Sequence, residues 1–214
     1  MPYHTVRQGE HLSRIAEDYG FSDFSTIWDD PKNAALKQTR RNPNVLYPGD
    51  QLFIPTSQLR QELAATDKRH LFHLSRRRLK LRLRLLDVDG QPLAQTEYNL
   101  HVDGTVHHLT TDGDGRINCD IQAAAHDALL VFKDPTTFVD IGTRLRIGDL
   151  DPVDQVSGQI ARLSNLGYFF YRGDGHDEER LHRGIQEFQC DHGLEVTGRC
   201  GPETQCKLTE LHGC

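Results

Sequence analysis

The chain has 214 residues, 36% of them hydrophobic and 26% charged, with a formal net charge of −6; this is the balance of a chain that folds around a core, not of a disordered one. No apolar run approaches the ~18 residues a membrane-spanning helix needs, and the opening MPYHTVRQGEHLSRIAEDYG has no basic stretch followed by an apolar one, so neither membrane insertion nor a secretory signal is expected. Charge is unevenly spread: residues 56–86 carry nine basic against two acidic side chains, whereas residues 87–150 carry four against eleven. One short basic block in an acidic chain is not the broad positive surface of a nucleic-acid binder.

In the first segment, Tyr3, Thr5 and Val6 before the turn at Gln8-Gly9 predict a short strand. Leu12, Ile15, Ala16 and Tyr19 recur at helical spacing up to Gly20, with Ser13 or Glu10 as the expected cap. Phe24, Ile27 and Trp28 predict a second helix that extends through Ala34, Ala35 and Leu36. After RRNPN, the run VLYPGDQLFIP has a turn at Pro48-Gly49 and a second strand through Leu52 and Ile54.

The two ends of this segment, YHTVRQGEHLSRIAEDYG and NPNVLYPGDQLFIP, resemble a LysM domain of strand-helix-helix-strand form. The resemblance implies recognition of N-acetylglucosamine-containing glycan in a shallow groove between two loops: Gly9, Glu10, His11 and Leu12 after the first strand, and Asn44, Val45, Leu46, Tyr47 and Pro48 before the second. An acetamido group needs a donor, an acceptor and a small apolar seat, which loop backbone and Leu12 or Leu46 can supply. Gly9, Leu12 and Pro48 are also needed for turns and core whether or not sugar binds. The connector DDPKNAALKQTRRNPN is longer than the family's usual one, and it either extends the groove or obstructs it.

Residues 57–78 read as a basic, partly helical linker, with Leu59, Leu63, Leu71 and Leu74 on the helical side. Beyond it, Leu79, Leu81, Leu83 and Leu85 alternate with Lys80, Arg82 and Arg84; period two means a strand with one apolar and one cationic face. Turn signals at Asp89-Gly90, Asp103-Gly104, Asp112-Gly113 and Asp114-Gly115 separate TEYNLHV, TVHHLTT, GRINCDI, ALLVF and TRLRIGDL. Such spacing predicts a small antiparallel sandwich of six or seven strands, and its sequence is similar to transthyretin-like sandwiches. TDGDG is read as a tight hairpin, since the further ligands and terminal glutamate of a calcium loop are missing. His107 and His108 point to opposite faces of their strand, leaving at most two convergent histidines with His101, too few to predict a metal site.

In the last segment, Val156, Ile160, Leu163 and Leu166 predict one helix, Leu181, Ile185 and Phe188 a second, and Thr204, Leu208 and Leu211 a third after Gly201-Pro202. The elements LSNLGY, IQEFQ and GLEVTG resemble the three-helix peptidoglycan-binding domain found beside wall hydrolases, and DGHDEERL departs from its usual first loop. Tyr168, Phe170, Tyr171 and Asp174 are the candidate glycan contacts of this module; core packing is the expected role for at least two of Phe169, Phe170 and Tyr171. Cys190, Cys200, Cys206 and Cys214 lie without any Cys-x-x-Cys spacing and predict disulfide staples of undetermined connectivity.

The sequence shows no paired carboxylates in apolar runs, no His-Glu-x-x-His, no Gly-x-Ser-x-Gly and no phosphate loop. Cys119 sits in a strand beside Asp120, which raises a thiol pKa. The expectation is a multidomain α+β chain: a LysM module at 1–56, a linker at 57–78, a β-sandwich at 79–150 and a helical wall-binding module at 151–214. It is expected to be non-enzymatic and without cofactor, to bind peptidoglycan, and to act in the periplasm or at the wall. The layout resembles accessory proteins of type VI and related contractile injection systems, which implies a secretion-system or effector partner and export without a signal peptide, or, alternatively, a docking role in which the modules no longer bind glycan.

Overall fold

A computed structural model describes residues 3–56, 67–69, 71, 79–87, 89–133, 140–173 and 175–214. The helix expected around Leu59, Leu63 and Leu74, and the candidate contact Asp174, lie outside them.

The first module pairs β1 (Tyr3–Thr5) antiparallel with β2 (Gln51–Phe53). Against this ribbon pack α1 (Leu12–Asp18), α2 (Ser25–Trp28) and α3 (Ala34–Arg40). The motif residues are its core: Val6, Leu12, Ile15, Ala16, Ile27, Trp28, Leu46, Leu52 and Ile54 form one buried cluster. A single extended second helix does not form. Pro31 has no N–H to donate and opens a separate 3-10 turn, Pro31–Asn33, capped by the Asp30 carboxylate on the Lys32 N–H. Asn33 is buried and spans the gap, donating to the Ile27 and Phe53 carbonyls while its own carbonyl accepts the Phe53 N–H. The lengthened connector is thereby tied to β2. Neither Ser13 nor Glu10 caps α1; His11 holds that position without a side-chain hydrogen bond.

The second module is a sandwich of two antiparallel sheets. β3 (Leu79–Arg84) pairs with β6 (Arg116–Ile121), and the order β5-β4-β7-β8 joins Thr105–Thr110, Glu97–Val102, Asp127–Lys133 and Asp140–Arg146. Leu79, Leu81 and Leu83 face Ile121, Cys119 and Ile117 across the first ladder. All six pack on Tyr98, Leu100, Val102, Ala128 and Leu130 of the larger sheet. The hairpin reading of TDGDG holds: one Asp112 carboxylate oxygen accepts the backbone N–H groups of Asp114 and Arg116 at 2.9 and 2.8 Å. Those bonds, the Arg116 one foremost, lower the Asp112 pKa. Asp87 repeats the arrangement with Asp89 and Gln91.

The third module consists of α4 (Val156–Asn165), α5 (Asp177–Asp191) and α6 (Pro202–His212). Asp177, Glu178 and Glu179 of DGHDEERL form the first turn of α5, where negative side chains meet the positive end of the helix dipole. Its core is Leu163, Phe169, Ile185, Phe188 and Leu208. Gln189 of IQEFQ is buried and gathers the loop before α6: its carbonyl accepts the Thr197 and Gly198 N–H groups, and its amide donates to the Arg199 carbonyl and Thr204 hydroxyl. Val156 and Leu211, expected on inner faces, are exposed, and Gln159 and Arg162 are buried on α4 beside the expected Leu163. The expected staples are not made, as all five cysteines are free thiols. Cys200 precedes α6 and Cys214 follows it, so a helix about 16 Å long separates them, beyond the ~7 Å limit for a bridge.

Candidate glycan-binding surfaces

The two predicted LysM loops come together. The Leu12 N–H donates to the Pro43 carbonyl at 3.2 Å, and the Ser13 hydroxyl reaches the Asn44 side-chain oxygen at 3.3 Å. Within the first loop, the Glu10 carboxylate accepts the Arg7 N–H and pairs with His4, both at 2.8 Å. Burial alone would raise the Glu10 pKa, but these bonds outweigh it and hold it low. Asp50 anchors the second loop, accepting the Tyr47 N–H and a two-pronged Arg40 guanidinium at 2.8 and 2.9 Å. Arg40 stands on α3, so the enlarged connector braces this loop.

Much of the groove is nevertheless covered. His11, Leu12, Val45 and Leu46 are buried, Gly9, Glu10, Tyr47 and Pro48 are half-buried, and Asn44 alone of the nine is exposed. Leu12 and Leu46 are buried in the module's own core, whereas Gly9 and His11 are covered by the stretch between the sandwich and α4. A Cβ placed on Gly9 would lie 2.6 Å from the Asp149 carboxylate, and one on Gly148 would lie 2.7 Å from the His11 ring. Gln8 donates to Asp151 at 3.2 Å, Arg40 lies 3.9 Å from Asp154, and Arg14 meets His126 at 3.1 Å. His11 is only 3% exposed, and neither ring nitrogen has a hydrogen-bond partner of good geometry. Burial, then the Arg14 and His126 charges, push its pKa down to about 4, against weak support from the Ala123 backbone. Sequence reasoning did not foresee this junction, because its contacts join residues more than a hundred positions apart.

Arg162 fastens the junction from the other side. Its buried guanidinium donates to the backbone carbonyls of Asp151, Gly158 and Cys214, each at 2.8 Å. Burial lowers its pKa.

On the third module the aromatic run divides sharply. Phe169 is buried, whereas Phe170 and Tyr171 are 68% and 77% exposed, so one residue of the three is core where at least two were expected. Tyr168 is structural: its ring packs edge-on against Phe188, and its hydroxyl donates to Asp191 at 3.1 Å. Burial first and that bond second push its pKa up to about 12. Phe170 and Tyr171 are therefore successive aromatic residues left largely in solvent. Among the described residues no three His, Cys, Asp or Glu side chains converge as a metal site, and no helix is long and apolar enough to cross a membrane.

The fold defines a chain of three small modules, a βαα-type unit, a β-sandwich and a three-helix unit. Comparison with known families specifies them: residues 4–29 match the LysM domain, and residues 161–208 match the putative peptidoglycan binding domain. The chain thus carries stretches that match both modules. It is also similar to the N-acetylmuramoyl-L-alanine amidase CwlM of Mycobacterium tuberculosis, with 39% identity over 51 residues. That stretch is 24% of this chain and 13% of the amidase. No solved structure matches the chain.

Proposed function

We propose that this protein is a non-enzymatic wall-binding accessory that holds N-acetylglucosamine-containing peptidoglycan at two places along one chain. The exposed Phe170-Tyr171 pair on the third module carries this reading, because large rings left in solvent beside a well-packed core stabilise nothing within the chain. The exposed rim of the LysM groove, Asn44 with parts of Glu10, Tyr47 and Pro48, supplies the second contact. Weak sites suffice on a polymer: once one module is bound, the other acts at an effective concentration of order millimolar, and avidity can exceed either affinity by ~10². The similarity to an amidase covers too little of that enzyme to lend this chain its activity, and no catalytic motif stands in the sequence. We further propose action at the wall or in the periplasm and, from the layout of the modules, association with a type VI or related injection system.

Burial of the LysM groove supports a second reading, in which that module docks to protein and no longer binds glycan. Pelleting of the full chain with purified sacculi, and its release by soluble chito-oligosaccharide, tests the first reading. Pelleting that chito-oligosaccharide leaves unchanged favours the second for the LysM module. A folded chain that stays in the supernatant defeats the wall-binding reading altogether.

A further inference from the structure

We infer that the protein self-associates through β8, which extends the four-stranded sheet into an eight-stranded one across a two-fold axis. Every β8 residue from Asp140 to Arg146 pairs with β7 on one side, and among the described residues its other side has no neighbouring strand. An open strand of seven residues is a template for another strand. Which strand fits is set by the order of its side chains.

Two copies joined antiparallel about a two-fold axis keep the same faces, so only residues on one face can stand opposite each other. With Thr143 opposite its own copy, all seven residues pair. Asp140 then faces Arg146 of the second copy, and Ile141 faces Leu145. The acid-base pair occurs twice by symmetry and lies on the outer face of the sheet. Ile141 and Leu145 lie on the core face, in line with Phe132 and Ala128. Ile141 is 42% exposed despite that position and is not among the apolar residues packed on the sandwich core. A second copy would bring an apolar partner to it.

The other edges lack this match. The two central residues of β5 are His107 and His108, so each centred symmetric register sets a histidine against its own copy. On β3, centring on Leu81 opposes Lys80 to Arg82. On β6, Arg116 and Asp120 are already engaged with Asp114 and Lys80, and the strand runs against β5 across the layers. This association does not depend on glycan binding, though it would double the number of wall contacts per particle.

Light scattering and sedimentation equilibrium of the full chain test it. The wild-type chain should show a concentration-dependent dimer. Asp140→Arg places arginine against arginine at both ends and should weaken the dimer about tenfold or more. Adding Arg146→Asp restores opposite charges across the two-fold while setting like charges opposite Asp127 and Lys133 on β7, so the double variant is compared as a folded chain of unchanged unfolding temperature and should regain the dimer. A wild-type chain that is monomeric at its highest soluble concentration overturns the proposal. So does an Asp140→Arg dimer of unchanged strength, which would place the interface elsewhere, or a folded double variant that remains monomeric.

Discussion

Gly148 lies against the imidazole of His11, so that a side-chain carbon at position 148 would come within 2.7 Å of the ring. The Gly148 φ of +85° is also one that other residues adopt only under strain. Gly148→Ala should therefore loosen the junction, at a cost of about 1–3 kcal/mol. Thermal unfolding measures that loss. If the junction is what covers the LysM groove, the same variant should bind chito-oligosaccharide more tightly than wild type by calorimetry; equal binding would show that the groove is not limited by this contact.

His11 makes stability depend on pH in a defined window. Its folded pKa, about 4, lies below its ordinary value of 6.5, so between these values the unfolded chain binds the extra proton. Stability is then fully present above about pH 6.5 and falls as pH drops towards 4. The loss should be on the order of 2–3 kcal/mol. Urea unfolding at pH 7 and pH 4.5 checks it. His11→Leu should remove most of the difference, and an unchanged pH dependence would exclude His11 as its source.

Arg162 cannot be replaced conservatively. Its flat fork meets the Gly158 carbonyl of its own helix, the Asp151 carbonyl before it and the distant Cys214 carbonyl, and a lysine ammonium cannot reproduce that spread of donors. Arg162→Lys should lower stability by about 2 kcal/mol or more, and Arg162→Ala by about 3–5 kcal/mol, because buried acceptors lose their donors. A shift of the unfolding midpoint below that of surface substitutions would contradict the assigned role.

The cysteines should react in order of access. Cys190 and Cys206 are exposed, whereas Cys119 is buried and burial pushes the Cys200 pKa up to about 11. A disulfide-exchange reagent at pH 8 should label Cys190 and Cys206 first and reach all five only on denaturation. Fewer than five thiols in the denatured, unreduced chain would restore the stapled third module.

The elements built from local pattern could be read directly in the residues. Alternation in Leu79–Arg84 marked β3, the LysM motif residues became a core, and IQEFQ placed Gln189 where it gathers its loop. What escaped has a common cause. The role of Arg162 went unmarked because no local period signals a position whose partners lie at Asp151 and Cys214. His11 looked like a groove residue because the segment covering it lies over a hundred residues away. The division of Phe169 from Phe170 and Tyr171 was hidden because successive residues beyond a helix end follow no fixed period. Local periodicity therefore located the modules, while tertiary packing, within each module and between them, decided which candidate residues remain accessible.

The central claim, wall binding through an exposed aromatic pair, is tested most directly by quantitative pelleting with sacculi of the wild-type chain and the Phe170→Ala/Tyr171→Ala variant. Both rings are largely exposed, so the substitutions should alter stability by no more than about 0.5 kcal/mol. The account predicts that the variant retains its unfolding temperature and loses at least tenfold in sacculus affinity. A folded variant that pellets as well as wild type would contradict it.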